Sequence, residues 1–170
     1  VAMDLRYIMS SLTINSNLER IGDIAVNIAE NVVLIQKKPE FFLNTKLEEM
    51  FSLTQRMLKN SIDAFIGGNP ELAKEVILTD DVVDRLNAEN HQILKSIMKQ
   101  SPENIEAAVA LLVISRELER LADHATNIAE DVFFIVEAQM IKHKYEKYIF
   151  GDDENDNDLT ADEPNDEIKA

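Results

Sequence analysis

Apolar side chains recur along most of this chain at the three- and four-residue spacing that is typical of amphipathic helices. In the first segment this spacing joins Leu5, Ile8, Leu12, Leu18, Ile21, Ile28 and Val32 and predicts a helix over residues 2–37. Pro39 ends that helix, because a proline disfavours helical geometry at the residue before it. The same spacing continues over residues 41–65 and predicts a second helix there.

Two breaks in this pattern mark the starts of the later helices. At the first break, Gly67 and Gly68 end the second helix, and Asn69 caps a third helix whose first turn begins with a proline. At the second break, Ser101 is expected to cap the fourth helix, because a proline and a glutamate follow it. The third and fourth helices are predicted over residues 70–99 and 102–148, which makes the fold all-α.

A fifteen-residue segment of the first helix returns one hundred residues later without a gap. Residues 18–32 and 118–132 are identical at ten of the fifteen positions. The polar positions are copied as faithfully as the apolar ones, although a helix that only packs is free to vary its solvent face. The polar positions that recur are Glu19, Arg20, Asp23, Asn27 and Glu30, matched by Glu119, Arg120, Asp123, Asn127 and Glu130. Such self-similarity indicates a duplicated structural unit.

The repeat also predicts the domain organisation. Two predicted helices precede the second copy and none precedes the first, so equivalent units would be tandem three-helix bundles with about sixty residues absent before Val1. Residues 1–38 are then the third helix of an incomplete first bundle, and residues 39–150 form a complete second bundle. Residues 151–170 carry nine acidic side chains and one lysine, and we expect them to form a disordered acidic tail.

Composition narrows the range of partners and of chemistry. The net charge of −15 disfavours nucleic acid and anionic lipid surfaces as partners, but it permits cations. The chain has no cysteine, which excludes disulfides, thiolate metal sites and cysteine nucleophiles. It contains no run of 18 apolar residues, so we expect no membrane insertion.

Acidic and amide side chains form stripes that are separate from the apolar faces. On the first helix, Glu19, Asp23 and Asn27 fall within about 80 degrees of one another, and the repeat copies them on the fourth helix. On the third helix a similar set spans about 60 degrees. Its members are Asp80, Asp84, Asn87 and His91.

Two interpretations of these stripes stay open at this point. In the first they are solvated faces, since exposed like charges four residues apart on a helix cost only about 0.2–0.5 kcal/mol. In the second the third and fourth helices face each other, so that Asp80 and Asp84 meet Glu119 and Asp123. Two such charges about 5 Å apart repel by roughly 3 kcal/mol at an effective dielectric constant of 20, and a hard divalent cation would relieve the repulsion.

The histidine and arginine side chains supply few further candidates for metal ligands. His124 lies beside the apolar arc, where we expect a packed or hydrogen-bonded side chain, and His91 is only a weak ligand candidate. Arg20 and Arg120 form surface ion pairs or, alternatively, orient a carboxylate ligand. Ferritin-like metal enzymes use Glu-x-x-His pairs on their helices, and none of the three histidines, His143 included, has a glutamate three residues before it.

The paired segments of the form Leu-Glu-Arg-x-x-Asp-x-Ala-x-Asn-Ile-Ala-Glu resemble the PhoU family of bacterial phosphate-transport accessory and phosphate-signalling proteins. The residues from Asp80 to Leu86 resemble the acidic motif on the middle helix of that family's second repeat, and the opening residues 1–6 resemble the entry to the third helix of its first repeat. The likeness covers residues 1–148. It implies two tandem three-helix bundles, of which this chain has the first only in part.

The resemblance implies metal sites built from acidic residues four positions apart. The matching pairs are Glu19 with Asp23, Glu119 with Asp123 and Asp80 with Asp84. Asn27 and Asn127 continue the two copies of the stripe and complete the set of candidate ligands. The implied ions are divalent or iron-type, namely Fe, Zn, Mn or Mg. The first site keeps only its half on the first helix, while the second site is complete.

The resemblance further implies a regulator and not an enzyme. Such a protein couples the ATPase subunit of the phosphate ABC transporter to a sensor histidine kinase, and it represses the phosphate-starvation response. It would be cytoplasmic and peripheral to the inner face of the membrane through these partners. The orphan amphipathic helix favours a homodimer. The alternatives are a ferritin-like carboxylate-bridged metal enzyme and a metal-free helical interaction module.

Overall fold

The structure is a computed structural model that describes residues 2–35 and 37–150, with side chains described over residues 5–35 and 37–136. This part of the chain is built from helices, and it contains no strand. In chain order they are α1 (Ala2–Leu34), a 3-10 turn (Glu40–Asn44), α2 (Leu47–Gly67), α3 (Pro70–Gln100), a 3-10 turn (Pro102–Asn104) and α4 (Ile105–Phe150). The all-α prediction is confirmed. The predicted acidic tail at residues 151–170 and the side chain of His143 lie outside the described residues.

The break between α2 and α3 forms as the sequence predicts. Gly68 adopts the left-handed conformation, with φ of 58°, which a glycine accepts without the steric penalty of a side chain. The side-chain oxygen of Asn69 accepts hydrogen bonds from the backbone N–H groups of Glu71 and Leu72, each at 3.1 Å. A cap of this kind stabilises a helix by about 1 kcal/mol.

Two predicted helix starts are wrong. The second helix begins at Leu47 and not near residue 41, because Thr45 is extended and its hydroxyl group donates to the carbonyl of Phe42 at 2.7 Å, which closes a separate turn. Ser101 does not cap α4, since its side chain makes no capping hydrogen bond among the described residues. A 3-10 turn over Pro102–Asn104 separates it from the helix.

Helices α2, α3 and α4 pack together as a three-helix bundle with a continuous apolar core. The largest fully buried side chains of this core are Met50 and Met57 from α2, Val76, Val83 and Leu94 from α3, and Val132 from α4. Burial of each such side chain stabilises the fold by about 1.5–3 kcal/mol. Among the described residues, no helix has the continuous apolar stretch that a membrane-spanning segment requires.

Helix α1 packs against α4, outside the bundle. The two helices are antiparallel, because the guanidinium group of Arg6 lies 5.2 Å from the ring centre of Phe134 while Asn17 contacts His124. A small apolar cluster of Ile14, Ile21 and Ile128 lies between these contacts. Since each α1 position matches an α4 position one hundred residues later, the two copies of the repeat cross near residues 20 and 120.

Candidate metal centre

A hydrogen bond between α3 and α4 shows which acidic side chains face one another. The hydroxyl group of Ser115 on α4 donates to the side-chain oxygen of Asn87 on α3 at 2.8 Å. From that point the helices run in opposite directions, so Asp84 lies near Glu119 and, one turn further, Asp80 lies near Asp123. We call these four residues, Asp80, Asp84, Glu119 and Asp123, the carboxylate seam.

Burial and neighbouring negative charges raise the pKa values of three residues of the seam, Asp80, Glu119 and Asp123. Burial, followed by the charges of Asp123 and Asp84, raises the pKa of Asp80 from 3.8 to about 6. Burial also raises the pKa of Glu119, and the charges of Asp123 and Asp84 raise it further. The pKa of Asp123, an exposed residue whose carboxyl group is partly shielded, is raised by that partial burial and by Asp84, against the opposing effects of His124 and Arg120. The four carboxyl groups therefore form one electrostatically coupled set.

One oxygen of the seam is buried without a partner. Neither Oδ1 of Asp80 nor the hydroxyl oxygen of Thr126 has a hydrogen-bond partner among the described residues, although both atoms are shielded from solvent. The hydroxyl group of Thr126 lies close enough to lower the pKa of Asp80, but it does not reach hydrogen-bond geometry. A buried oxygen in this state costs about 1–3 kcal/mol, which a bound cation would offset.

The seam has the chemistry of a metal site but not its final geometry. Its donors are all oxygen atoms, which suit hard cations such as Mg²⁺ and Mn²⁺ and also bind Zn²⁺ and iron. Within residues 5–35 and 37–136, however, no three acidic or histidine side chains are already gathered around one point. Asp84 and Asp123 are exposed, while Asp80 and Glu119 are half-buried, so the seam opens to solvent on one side. Metal binding by these residues stays a prediction.

The remaining predicted ligands lie apart from this coupled set or at its edge. Asn127 is exposed one turn beyond Asp123 on α4. Glu19, Asp23 and Asn27 are exposed along α1, and none of them is among the described charges that act on the seam. The structure therefore brings together the acids of α3 and α4 and leaves the α1 set as a row on a single helix.

The basic residues near the seam serve the packing of the helices. The ring Nδ1–H of His124 donates to the side-chain oxygen of Asn17 at 2.9 Å, since that oxygen can only accept. Burial and the charges of Arg20 and Arg120 lower the pKa of His124. His124 is thus the bonded side chain that its position in the repeat predicts.

Arg120 forms an ion pair, but not with the glutamate beside it in the sequence. Its guanidinium group donates to both carboxylate oxygens of Glu117, at 2.8 and 3.1 Å. Glu117 is buried, and its three-residue spacing from Arg120 is the signal that the analysis of the sequence missed. Asn90, Ser115 and Thr126 were also missed, because single polar residues inside an apolar pattern give no periodic signal.

A second concave feature lies where α1 ends, beside the starts of α2 and α4. It is an apolar pocket of ≈ 460 Å³. Its walls are formed mainly by Ile28, Val32, Leu47, Phe51, Leu111, Ile114 and Leu118. These walls are hydrocarbon, and the charged groups of the pocket, Lys37, Lys38 and Glu48, lie on exposed residues.

The sequence of this chain is similar to a protein-family model and to proteins of known family. A family model described as the PhoU domain matches residues 1–32 and 47–132. The phosphate-specific transport system accessory protein PhoU homolog 1 of Thermotoga maritima is 32% identical over 143 residues, which cover 84% of this chain and 62% of that protein. The PhoU homolog of Aquifex aeolicus is 38% identical over 146 residues, which cover 86% of this chain and 66% of that protein.

A solved structure is similar in fold as well as in sequence. The crystal structure of PhoU from Pseudomonas aeruginosa matches with a TM-score of 0.77 at 32% sequence identity. The match covers 81% of this chain and 66% of that one. The chain therefore spans a little under two thirds of the length of the relatives that it matches.

Proposed function

This chain belongs to the PhoU family, and on that premise we propose that it acts as an accessory regulator of phosphate uptake that binds metal ions through the carboxylate seam. The names of its relatives support the first part, since they assign those proteins to a phosphate-specific transport system. An accessory protein regulates a transporter without a reaction of its own, so we assign no catalytic residues.

The observation that carries the metal-binding part is the gathering of four carboxylates between α3 and α4, where burial and then the charges of Asp123 and Asp84 raise the pKa of Asp80 to about 6. Their mutual repulsion is a cost to the metal-free fold that a cation between α3 and α4 would remove. Asp80, Asp84, Glu119 and Asp123 would hold the ion, with Asn127 at the edge. When bound, the ion supplies positive charge that ties the two helices together.

The partners proposed for the regulator are those that the resemblance to the family implies. We propose that it contacts the ATPase subunit of the phosphate ABC transporter and a sensor histidine kinase, and that it represses the phosphate-starvation response. It would act in the cytoplasm, at the inner face of the membrane. The exposed apolar side chains along α1 support self-association as a homodimer, with Leu5, Ile8, Met9 and Leu12 as the densest group.

Metal binding is tested by titration of the chelator-treated chain with Mn²⁺, Mg²⁺, Zn²⁺ and Fe²⁺, followed by calorimetry and metal analysis. We expect Asp84→Asn and Asp123→Asn to weaken binding at least tenfold. Asp23→Asn, the repeat counterpart of the second variant, is the matched control and should leave this binding unchanged. If the wild-type chain binds none of these ions, the metal-binding part fails and a metal-free interaction module is the better description.

The regulatory part is tested separately. The tagged chain should capture the ATPase subunit of the phosphate transporter, but not the ATPase subunit of a transporter for another solute. The same assay with the sensor kinase tests the second partner. Failure to capture either protein, with the chain shown to be folded, would contradict the regulatory role irrespective of the metal result.

A further inference from the structure

Three polar side chains outside the acidic motifs form a network next to the carboxylate seam. They are Asn87 and Asn90 on α3 and Ser115 on α4, and we call them the polar triad. Asn90 and Ser115 are fully buried, and Asn87 is half-buried. Most buried polar groups are hydrogen-bonded, because leaving them unpaired costs free energy, so the bonds of the triad indicate what it does.

The triad joins all three helices of the bundle. The side-chain oxygen of Asn90 accepts from the backbone N–H of Lys46 at 2.7 Å, where α2 begins. Its amide group donates to the hydroxyl oxygen of Ser115 at 3.1 Å, and that hydroxyl donates onward to Asn87 at 2.8 Å. Ser115 is therefore both an acceptor and a donor between α3 and α4, and a buried partner left without it would cost about 1–3 kcal/mol.

The position of the triad couples the axial register of α3 and α4 to the alignment of the seam. Ser115 precedes Glu119 by one turn, about 6 Å along the axis of α4 at 1.5 Å per residue. Asn87 follows Asp84 by about 4.5 Å along α3. A slide of one helix by a single residue would break the bond between Ser115 and Asn87, and it would also move Glu119 out of step with Asp84.

An apolar core alone would not fix this register so sharply. Apolar contacts are not directional, whereas the hydrogen bonds of the triad require one distance and one orientation. The buried bonds of the triad lie within about one turn of the acids that they would position. In metal sites, loss of a group that orients the ligands typically lowers metal affinity by about 10–100-fold.

We propose that the polar triad is the positioning element of the carboxylate seam, with Ser115 at its centre. It holds α3 and α4 in the register that lets Asp84 and Glu119 present their oxygens to the same cation. This inference rests on the proposed metal-binding function. None of the three residues is itself a ligand in it, since their side-chain oxygens are used in bonds within the protein.

The chain offers a matched control for a substitution at Ser115. Ser61 on α2 is also fully buried, but its hydroxyl group bonds to the carbonyl of Leu58 in its own helix at 2.9 Å. Ser61→Ala therefore removes a buried hydroxyl group without touching any bond between helices. A loss of general stability would appear in both variants, whereas a loss of register would appear only at Ser115.

The experiment measures the dissociation constant for Mn²⁺ by calorimetry on chelator-treated protein, together with thermal unfolding of each variant. We expect Ser115→Ala and Asn87→Ala to weaken Mn²⁺ binding 10–100-fold, and Ser61→Ala to change it less than twofold. If Ser115→Ala does not fold, Asn87→Ala carries the test, because its side chain is half-buried and easier to replace.

Two results would overturn the inference, and they are distinguishable from failure of the proposed function. The first is a folded Ser115→Ala or Asn87→Ala variant that binds Mn²⁺ within threefold of the wild type. The second is an equal loss of affinity in Ser61→Ala. In both cases the wild-type chain still binds Mn²⁺, whereas a wild-type chain that binds none removes the proposed metal site itself and the triad's role with it.

Discussion

Helices α1 and α4 carry the same motif, yet several matched apolar and small side chains are exposed on α1 and buried on α4. Leu118 is 3% exposed and Val132 is 1% exposed, while their counterparts Leu18 and Val32 are 38% and 54% exposed. The small residues behave in the same way. Gly22, Ala25 and Ala29 are exposed on α1, and Ala122, Ala125 and Ala129 are fully buried on α4. The motif therefore specifies a helix with two faces, and the neighbouring helices decide whether those faces are used.

The acidic residues of the motif also differ between the two helices in what surrounds them. On α4, Glu119 and Asp123 face the acids of α3 and share one electrostatic environment with them. On α1, Glu19 and Asp23 are exposed. A row of carboxylates on one helix is thus half of a candidate site, and it becomes a coupled set only where a second helix supplies the other half.

The largest difference between the two helices should appear on truncation of the paired leucines. We expect Leu118→Ala to lower the free energy of unfolding by about 2–5 kcal/mol, because it opens a cavity in the bundle core. Leu18→Ala should lower it by less than about 1 kcal/mol, since that side chain is partly in solvent already. Urea unfolding of the two variants gives both values. Equal losses would show that α1 is buried in solution and would contradict the comparison.

The second difference concerns stabilisation by metal. At a Mn²⁺ concentration one hundred times the dissociation constant, the wild-type chain should gain about 2.7 kcal/mol of unfolding free energy. Glu119→Gln removes a carboxylate from the seam and should lose most of that gain, whereas Glu19→Gln should retain it. Denaturation with and without Mn²⁺ measures the gain. If the gain is retained in Glu119→Gln and lost in Glu19→Gln, the metal binds at α1 and the seam is not the site.

The sequence predicted the parts of this molecule that depend on local pattern. The helices, the Asn69 cap and the bonded state of His124 follow from spacing and from the chemistry of single residues. The start of α2 was misplaced because Phe41 and Phe42, which fit a helical pattern, instead pack against the core from a separate turn. That choice depends on the tertiary fold, which periodicity does not describe.

The candidate site, like the fold, could be predicted from the sequence only in part. Its four acids were found because they repeat or cluster on helical faces, and Asn87 was found with them, but the other two residues of the polar triad, Asn90 and Ser115, were not. The amide group of Asn90 bonds to the hydroxyl oxygen of Ser115 at 3.1 Å, although the two residues are twenty-five positions apart in the sequence. A contact of this kind leaves no trace in a single helical pattern. The sequence thus indicated which residues carry charge and left open which residues hold them in place.

The pH dependence of the metal-free chain gives a smaller effect that is specific to the seam. The pKa of Asp80 in the folded protein is about 6, above its ordinary value of 3.8, so folding favours its protonated form. The stability that it contributes is full below about pH 4 and is lost as the pH rises through 6. Asp80→Asn should therefore be more stable than the wild type at pH 7, by about 1 kcal/mol after solvent screening, and equal to it near pH 4.

Chelator-treated protein and urea unfolding across pH 4–7 provide this measurement. Asp81→Asn is the control, because Asp81 is exposed on the same turn and is only the weakest of the charges that act on Asp80. A difference between wild type and Asp80→Asn that does not change with pH would mean that Asp80 is solvated. The seam would then be an ordinary acidic surface.

The smallest expected effect is the coupling energy between Asn17 on α1 and His124 on α4, compared with that of the matching pair in the other half of the repeat. Asn17 and His124 are joined by one hydrogen bond of 2.9 Å, and a double-mutant cycle with alanine at both positions should give a coupling energy of about 0.5–1.5 kcal/mol. The repeat supplies the control pair, in which Ile24 stands for His124 and Glu117 stands for Asn17. Glu117 bonds to Arg120 on its own helix, so a cycle of Ile24→Ala with Glu117→Gln should couple by less than about 0.5 kcal/mol. Similar couplings at both pairs would contradict a specific role for this bond, whereas the expected contrast would show that it strengthens the packing of α1 on α4 in only one half of the repeat.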